Sequence, residues 1–566
     1  MDFGKIARKK NILINLGIII GLLIILPLIL NLIEYNFKVL VITTIGNYVV
    51  FILIIILILD TGYLLFKRQN NYLFSLINMY LTLLLFSLMM YSFLNNIYEI
   101  VYVMNYSNST LPLIYKIVAI WAGEEGSIMT WMVFNSIIIN FYRKKNQNKE
   151  DVVFTRSIIF SLLISITFLI ILFSLNPFKV DSPPVFPNGR GLNPLLISPF
   201  MIWHPFFTFI AYAIFLVPFT IVIAEIITRK KKLLGVYQLN FYNFSLKFGW
   251  LVLTLGIGLG AYWAKIALTP WGRYWGWDPV ETVSLVPWFF ITAFFHTVIF
   301  KNKNPKLIKI NVGLIFSSIV FSTLITRGGG LNSLHAFAEG VELVLWVVIL
   351  GLIIILSLLY VIFIVIDYLM EEYRNKKLLF DYLSYLFLYG LAFVCIFGLF
   401  ISPFTYLLST FLPIENISID VDYFIITTLT LSTGLALSLT FCSLWEYFDI
   451  KSIATYILVA FLIQLAFSYT LLFTTNIWIN PILIIYLISL VSSIYKLSKN
   501  FTLKKGYKYF FRLNSKTIIH SGISFIFAGF LIISTYQDFF FIPGFILLLI
   551  GIIPSIFSTF FLKKER

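Results

Sequence analysis

The chain carries four histidines, His204, His296, His335 and His520. Imidazole is the side chain most used to hold a metal and the usual axial ligand of haem iron. No spacing among these four supplies the three or four clustered ligands that zinc requires. A second chemical cluster reads Trp271-Gly-Arg273-Tyr-Trp275-Gly-Trp277-Asp278-Pro-Val-Glu281 and runs on to Trp288. With Trp263 it places five of the twelve tryptophans within 26 residues. Flat indoles beside glycines suit a planar, apolar macrocycle. Arg273, Arg190, Arg327 and Lys265 are isolated cations, and Arg grips carboxylates as a fork, so they are candidates for the propionates of such a ring. Asp278 before Pro279 suits a helix N-cap. With Glu281 it could equally orient a histidine or a cysteine thiol.

The elements that position these residues are membrane helices. The 566 residues are 60% hydrophobic and 12% charged, against about 25% charged in a soluble domain. Runs of about 20 apolar residues can cross a bilayer, and they predict an all-α polytopic protein of about sixteen spans, from 11–33 to 540–562. The basic start followed by a long apolar run reads as a retained first span rather than a cleaved signal. With both termini on the cytoplasmic side, only Lys38, Lys116, Lys179, Arg190, Lys265, Arg273 and Arg327 of the 41 Lys and Arg fall outside, as the positive-inside rule demands. The net charge of +16 is thus topological, and nucleic acid is not expected as a partner. Cys395 and Cys442 lie in apolar runs with no CxxC or CxxCH. That excludes a disulfide scaffold, a dithiol enzyme and a c-type cytochrome.

On this topology the histidines form two pairs. His204 and His335 lie at the outer side. His296 and His520 lie in spans 281–300 and 517–536, about 8 Å and about 6 Å from the inner boundary at 1.5 Å per residue. A ligand held edge-on between two helices needs that shared depth. Singly, each histidine could be hydrogen-bonding glue between helices, and the tryptophans alone could be an interfacial belt. Neither reading accounts for the paired depths, or for the Gly spacing and Arg273.

Trp271 to Glu281 resembles the tryptophan-rich WWD motif of the haem-handling proteins of cytochrome c maturation. Within them the chain is similar to the CcmF/NrfE family. Trp121-Ala-Gly-Glu124-Glu125-Gly-Ser127 with Trp131, Gly191-Leu-Asn193-Pro194 leading to Trp203-His204-Pro205, and Arg327 through Leu334-His335-Ala-Phe337 resemble three further family segments. The resemblance divides the chain into N-terminal helices (1–114), a haem-handling core (115–340, WWD loop 262–280) and C-terminal helices (341–566). It implies that His204 and His335 ligate incoming haem, a substrate, and that His296 and His520 ligate a resident haem b. It implies a cytochrome c haem lyase (holocytochrome c synthase) component that joins haem vinyls to CxxCH cysteines. The partners implied are a haem chaperone of CcmE type, a CcmH-type subunit, apocytochrome c and the lipid bilayer. The membrane would be the cytoplasmic or an organellar inner membrane, with the WWD loop facing the extracytoplasmic side.

The chain departs from the family at Gly272-Arg273, where Gly-Gly is usual, at Thr282, where Asn is usual, and in lacking a large outer domain before its last helix. Other readings stay open. One is a haem relay without synthase activity, and another is an ion or small-molecule transporter. A quinol-oxidising respiratory subunit and a CcsA-type synthase are further ones.

Overall fold

A computed structural model describes residues 17, 21, 25–144, 151–228, 236–267, 273–297, 304–327, 344–372, 376–467, 480–501, 506–532 and 536–561. In a bilayer no water satisfies backbone groups, so apolar segments must close their own hydrogen bonds as helices. The described residues are accordingly almost entirely helical and fall into two compact units, residues 1–242 and 243–566.

The first unit holds α1 (Tyr35–Lys67), α2 (Tyr72–Leu94), α3 (Glu124–Lys144), α4 (Val152–Leu175) and α5 (Pro199–Thr228). Side-chain caps start two of them: Asn71 accepts from Leu73 N at 3.1 Å and Asp151 from Val153 N at 2.9 Å. With no hydrophobic drive between helices in lipid, polar pairs join them, as Thr82 with Ser136 (2.8 Å) and Ser161 with Thr220 (3.0 Å). Between α1 and α3, Arg143 forks onto Asp60 with both side chains fully buried.

The second unit holds most of α6 (Val236–Ala267), then α7 (Pro279–Phe294), α8 (Pro305–Arg327), α9 (Val344–Glu372), α10 (Lys376–Ser409), α11 (Val421–Leu444), α12 (Ile450–Phe467), α13 (Asn480–Lys499), α14 (Gly506–Leu531) and α15 (Asp538–Phe561). α7 packs on α8 and α10, and α11 on α10 and α13. The closest pairing is α14 on α15. A Cβ on Gly522 would stand 2.7 Å from both Gly544 O and Leu548 N, so the two backbones meet with no room for a side chain.

Eleven of these helices are long and apolar enough to cross a membrane, and the chain is a polytopic membrane protein. Large apolar side chains such as Phe37, Ile58, Phe363 and Met370 lie exposed on them, which suits lipid as the solvent. The other expected spans differ for local reasons. Span 11–33 lies mostly outside the described residues. Span 115–141 is broken: a short helix, Leu113–Ala119, is followed by a turn, and α3 begins only at Glu124. α7 and α12 are short apolar helices, α7 because it ends at Phe294. α14, over span 517–536, also takes in Lys508, Arg512 and Lys516, which dilute its apolar character.

Candidate functional site

The WWD loop is shaped by its own helix start. Asp278 is the N-cap of α7, accepting from Val280 N at 3.0 Å with Pro279 at the first helical position. Glu281, one turn in, reaches back to accept from Gly276 N at 2.9 Å. Between these anchors Trp277 adopts φ +59°, a left-handed conformation costly for a bulky residue. Its indole stacks on Phe424 of α11 (6.0 Å, 6°) and meets Trp275 edge-on (6.3 Å, 79°).

The other side of the loop is held by α15. Tyr274 stacks on Phe541 (3.9 Å, 16°) and donates its hydroxyl to Asp538. Lys265 donates to the same carboxylate and sits 4.7 Å above the Tyr274 ring. Burial first, then the Asp538 carboxylate, push the Tyr274 phenol up, so it stays a donor. Lys265 is therefore engaged within the protein, whereas Arg273 is exposed. Arg273, Trp275 and Trp277 all line one cavity of about 580 Å³.

His296 follows α7, and His520 lies on α14. Both are half-buried and within electrostatic reach of each other. His296 Nδ1 lies 3.2 Å from Thr292 O. With its proton on Nδ1, the ring donates to that carbonyl, and Nε2 keeps the lone pair that an iron needs. The donor set fits a bis-imidazole haem. Among the described residues no group of three or more His, Cys, Asp or Glu could hold a bare metal ion.

The remaining candidates are placed separately. His204 lies in the first turns of α5 in the first unit, beside Trp203, which stacks on Phe207 (6.2 Å, 25°). Arg190 is exposed in the loop before α5 and lies 5.2 Å from the Phe186 ring. Arg327 closes α8, and Trp271 and His335 lie outside the described residues. The Trp121–Ser127 segment is a tight turn built on Tyr102. Its hydroxyl donates to Ile120 O (2.8 Å) and accepts from Gly123 N (3.0 Å), and a Cβ on Gly126 would strike Ile120 O. The sequence carried no signal for Phe424, Phe541 or Asp538, which reach the loop from distant helices, or for Gln537, which lines the same cavity.

Residues 121–335 match the cytochrome c assembly protein family. The chain is similar to the cytochrome c-type biogenesis protein CcmF of Haemophilus influenzae, 33% identical over 45% of this chain and 39% of that one. To CcmF of Escherichia coli it is 33% identical over the same shares. To the probable cytochrome c-type biogenesis protein NrfE of Escherichia coli it is 32% identical over 46% and 47%. The match thus spans less than half the length of these relatives. In fold it resembles a solved structure described as cytochrome c haem lyase CcmF, with TM-score 0.62 and 16% identity, covering 86% of this chain and 76% of that one. The sequence likeness to cytochrome c assembly proteins thus rests on residues 121–335, and the likeness to the solved structure is one of fold.

Proposed function

We propose that the protein is a cytochrome c haem lyase component, which binds substrate haem at the WWD loop and promotes its attachment to CxxCH motifs of apocytochrome c. The observation that carries this reading is that His296 and His520, from helices far apart in sequence, lie within electrostatic reach of each other, with the Thr292 carbonyl set to orient His296. These two would hold the iron of a resident haem b, which would supply a one-electron couple when bound. His204 and His335 hold the iron of the substrate, Trp271, Trp275 and Trp277 carry its ring, and Arg273, Arg327 and Arg190 meet its propionates. Asp278 and Glu281 keep the loop in shape. Each apocytochrome cysteine then adds its S–H across a haem vinyl group, forming the thioether with nothing expelled. Positioning of the two reactants accounts for much of the acceleration.

In this reading all sixteen spans are present, both termini are cytoplasmic, and the WWD loop faces the extracytoplasmic side of the cytoplasmic or organellar inner membrane. A CcmE-type chaperone delivers haem, and a CcmH-type subunit presents the apocytochrome. The test is a reduced-minus-oxidised spectrum with pyridine haemochrome. Purified wild type should show a b-type signal, lost in His296→Ala with His520→Ala. A wild type that stays haem-free after haem supplementation during expression would sink the resident-haem reading and leave a relay or a transporter.

A further inference from the structure

α6 and α7 are joined by a reciprocal latch of two tryptophans and two threonines. Trp288 and Thr292 lie one turn apart on α7, and Trp250 and Thr254 one turn apart on α6. Trp250 Nε1 donates to Thr292 Oγ1 at 3.1 Å, and Thr292 Oγ1 donates to Trp288 O at 2.7 Å. In return Trp288 Nε1 donates to Thr254 Oγ1 at 2.9 Å, and Thr254 Oγ1 donates to Trp250 O at 2.8 Å. All four side chains are buried. Each hydroxyl both accepts and donates, and each indole N–H is met, as buried polar groups require.

One half of this latch reaches His296. α7 ends in a tightened turn, where His296 N bonds to Ala293 O at 2.9 Å rather than to Thr292 O, its partner in a regular helix. Thr292 O takes Phe295 N at 3.2 Å and keeps a lone pair for His296 Nδ1, also at 3.2 Å. Trp250 touches this end twice. Its N–H holds the Thr292 hydroxyl, and its ring packs on Phe295 at 4.7 Å. The other half is remote, since Trp288 lies eight residues before His296, about 12 Å along a helix axis.

We infer that Trp250 and Thr292 are positioning residues for the His296 ring, keeping its proton on Nδ1 and its Nε2 free to ligate. Which nitrogen carries the proton is set by the hydrogen bond the other makes. Thr292 presents its carbonyl at a fixed angle because its hydroxyl is held from both sides. Trp250 also steadies Phe295, and with it the backbone entering His296. That iron is what Nε2 meets rests on the resident-haem reading above; the positioning itself does not.

The test uses detergent-purified full-length protein from a haem-deficient host, with histidine labelled in heavy nitrogen and read by NMR. His296→Ala identifies the signal concerned. In wild type and Thr292→Ser, His296 should be an Nδ1–H imidazole. In Thr292→Val and Trp250→Phe it should become a mixture with the Nε2–H form. Thr254→Val removes the matching hydroxyl of the remote half and should leave His296 as in wild type. In haem-loaded protein, haem loss to excess apomyoglobin should quicken roughly tenfold in Thr292→Val and Trp250→Phe, and stay near wild type in Thr292→Ser and Thr254→Val. Four results overturn the inference: an Nε2–H imidazole in wild type, a tautomer indifferent to both Thr292→Val and Trp250→Phe, a Thr292→Ser variant no better than the valine, or Thr254→Val as disturbing as Thr292→Val. The last would make the latch a plain clamp between helices. The wild-type tautomer needs no variant, so misfolding does not blunt the test. If the tautomer follows the latch but loaded wild type shows no b-type signal, the resident-haem reading fails and the positioning stands; a b-type signal with an indifferent tautomer removes only the positioning.

Discussion

Trp277 of the WWD loop lies parallel to Phe424 of α11, with planes 6° apart and centroids separated by 6.0 Å. The stack supports a backbone conformation that Trp277 does not favour by itself. Phe424→Ala and Trp277→Ala should therefore be coupled by about 0.5–1.5 kcal/mol in a double-mutant cycle, measured by thermal unfolding in detergent. Additive costs would show that the stack is incidental to the loop.

Glu281 holds Gly276 N through one carboxylate oxygen. If that hydrogen bond is its contribution, Glu281→Gln keeps it, and Glu281→Ala loses it together with the loop shape. In cells carrying a c-type reporter, the alanine variant should lower holocytochrome yield roughly tenfold, in line with about 1.4 kcal/mol for a lost charged-group hydrogen bond, while the glutamine variant stays near wild type. Equal damage from both would move the role of Glu281 to its charge.

Asp60 and Arg143 form a pair with no exposed side-chain surface. Asn70 and the Asn71 carbonyl complete the guanidinium's hydrogen bonds at 2.8 Å each. Removing either charge strands the other, so Asp60→Asn or Arg143→Met should each cost about 3–5 kcal/mol. Asp60→Leu combined with Arg143→Met should restore much of that loss. Protein abundance in membranes and unfolding in detergent read both effects, and a double variant as unstable as the singles would refute the argument.

The three atoms nearest to a Cβ on Gly522 are all backbone atoms of α15, which cannot yield as a side chain tip can. Gly522→Val should cost about 1–3 kcal/mol by overpacking. Because His520 lies two residues away on the same helix, the b-type spectrum should weaken as well. A normal spectrum with normal stability would mean that α14 and α15 separate freely.

His204→Ala and His335→Ala should lower holocytochrome yield at least tenfold while leaving the b-type signal intact. Loss of that signal in either variant would merge the two proposed haem sites into one.

The membrane character of this chain was legible in its residues, because a span needs only length and apolarity and both are local properties. So was the start of α7 at Asp278-Pro279, since a cap is local too. The break at Trp121–Ser127 was hidden, because it depends on Tyr102 and on glycines that tolerate its close approach. Only the tertiary structure decided what backs the WWD loop: Phe424 under Trp277, Phe541 and Asp538 under Tyr274, and the cavity that Trp275 shares with Gln537. In lipid, any apolar helix face can meet another at similar cost. Which faces meet is settled by small residues such as Gly522 and Gly544 and by pairs such as Trp288 with Thr254, 2.9 Å apart, and these leave no periodic trace along the chain.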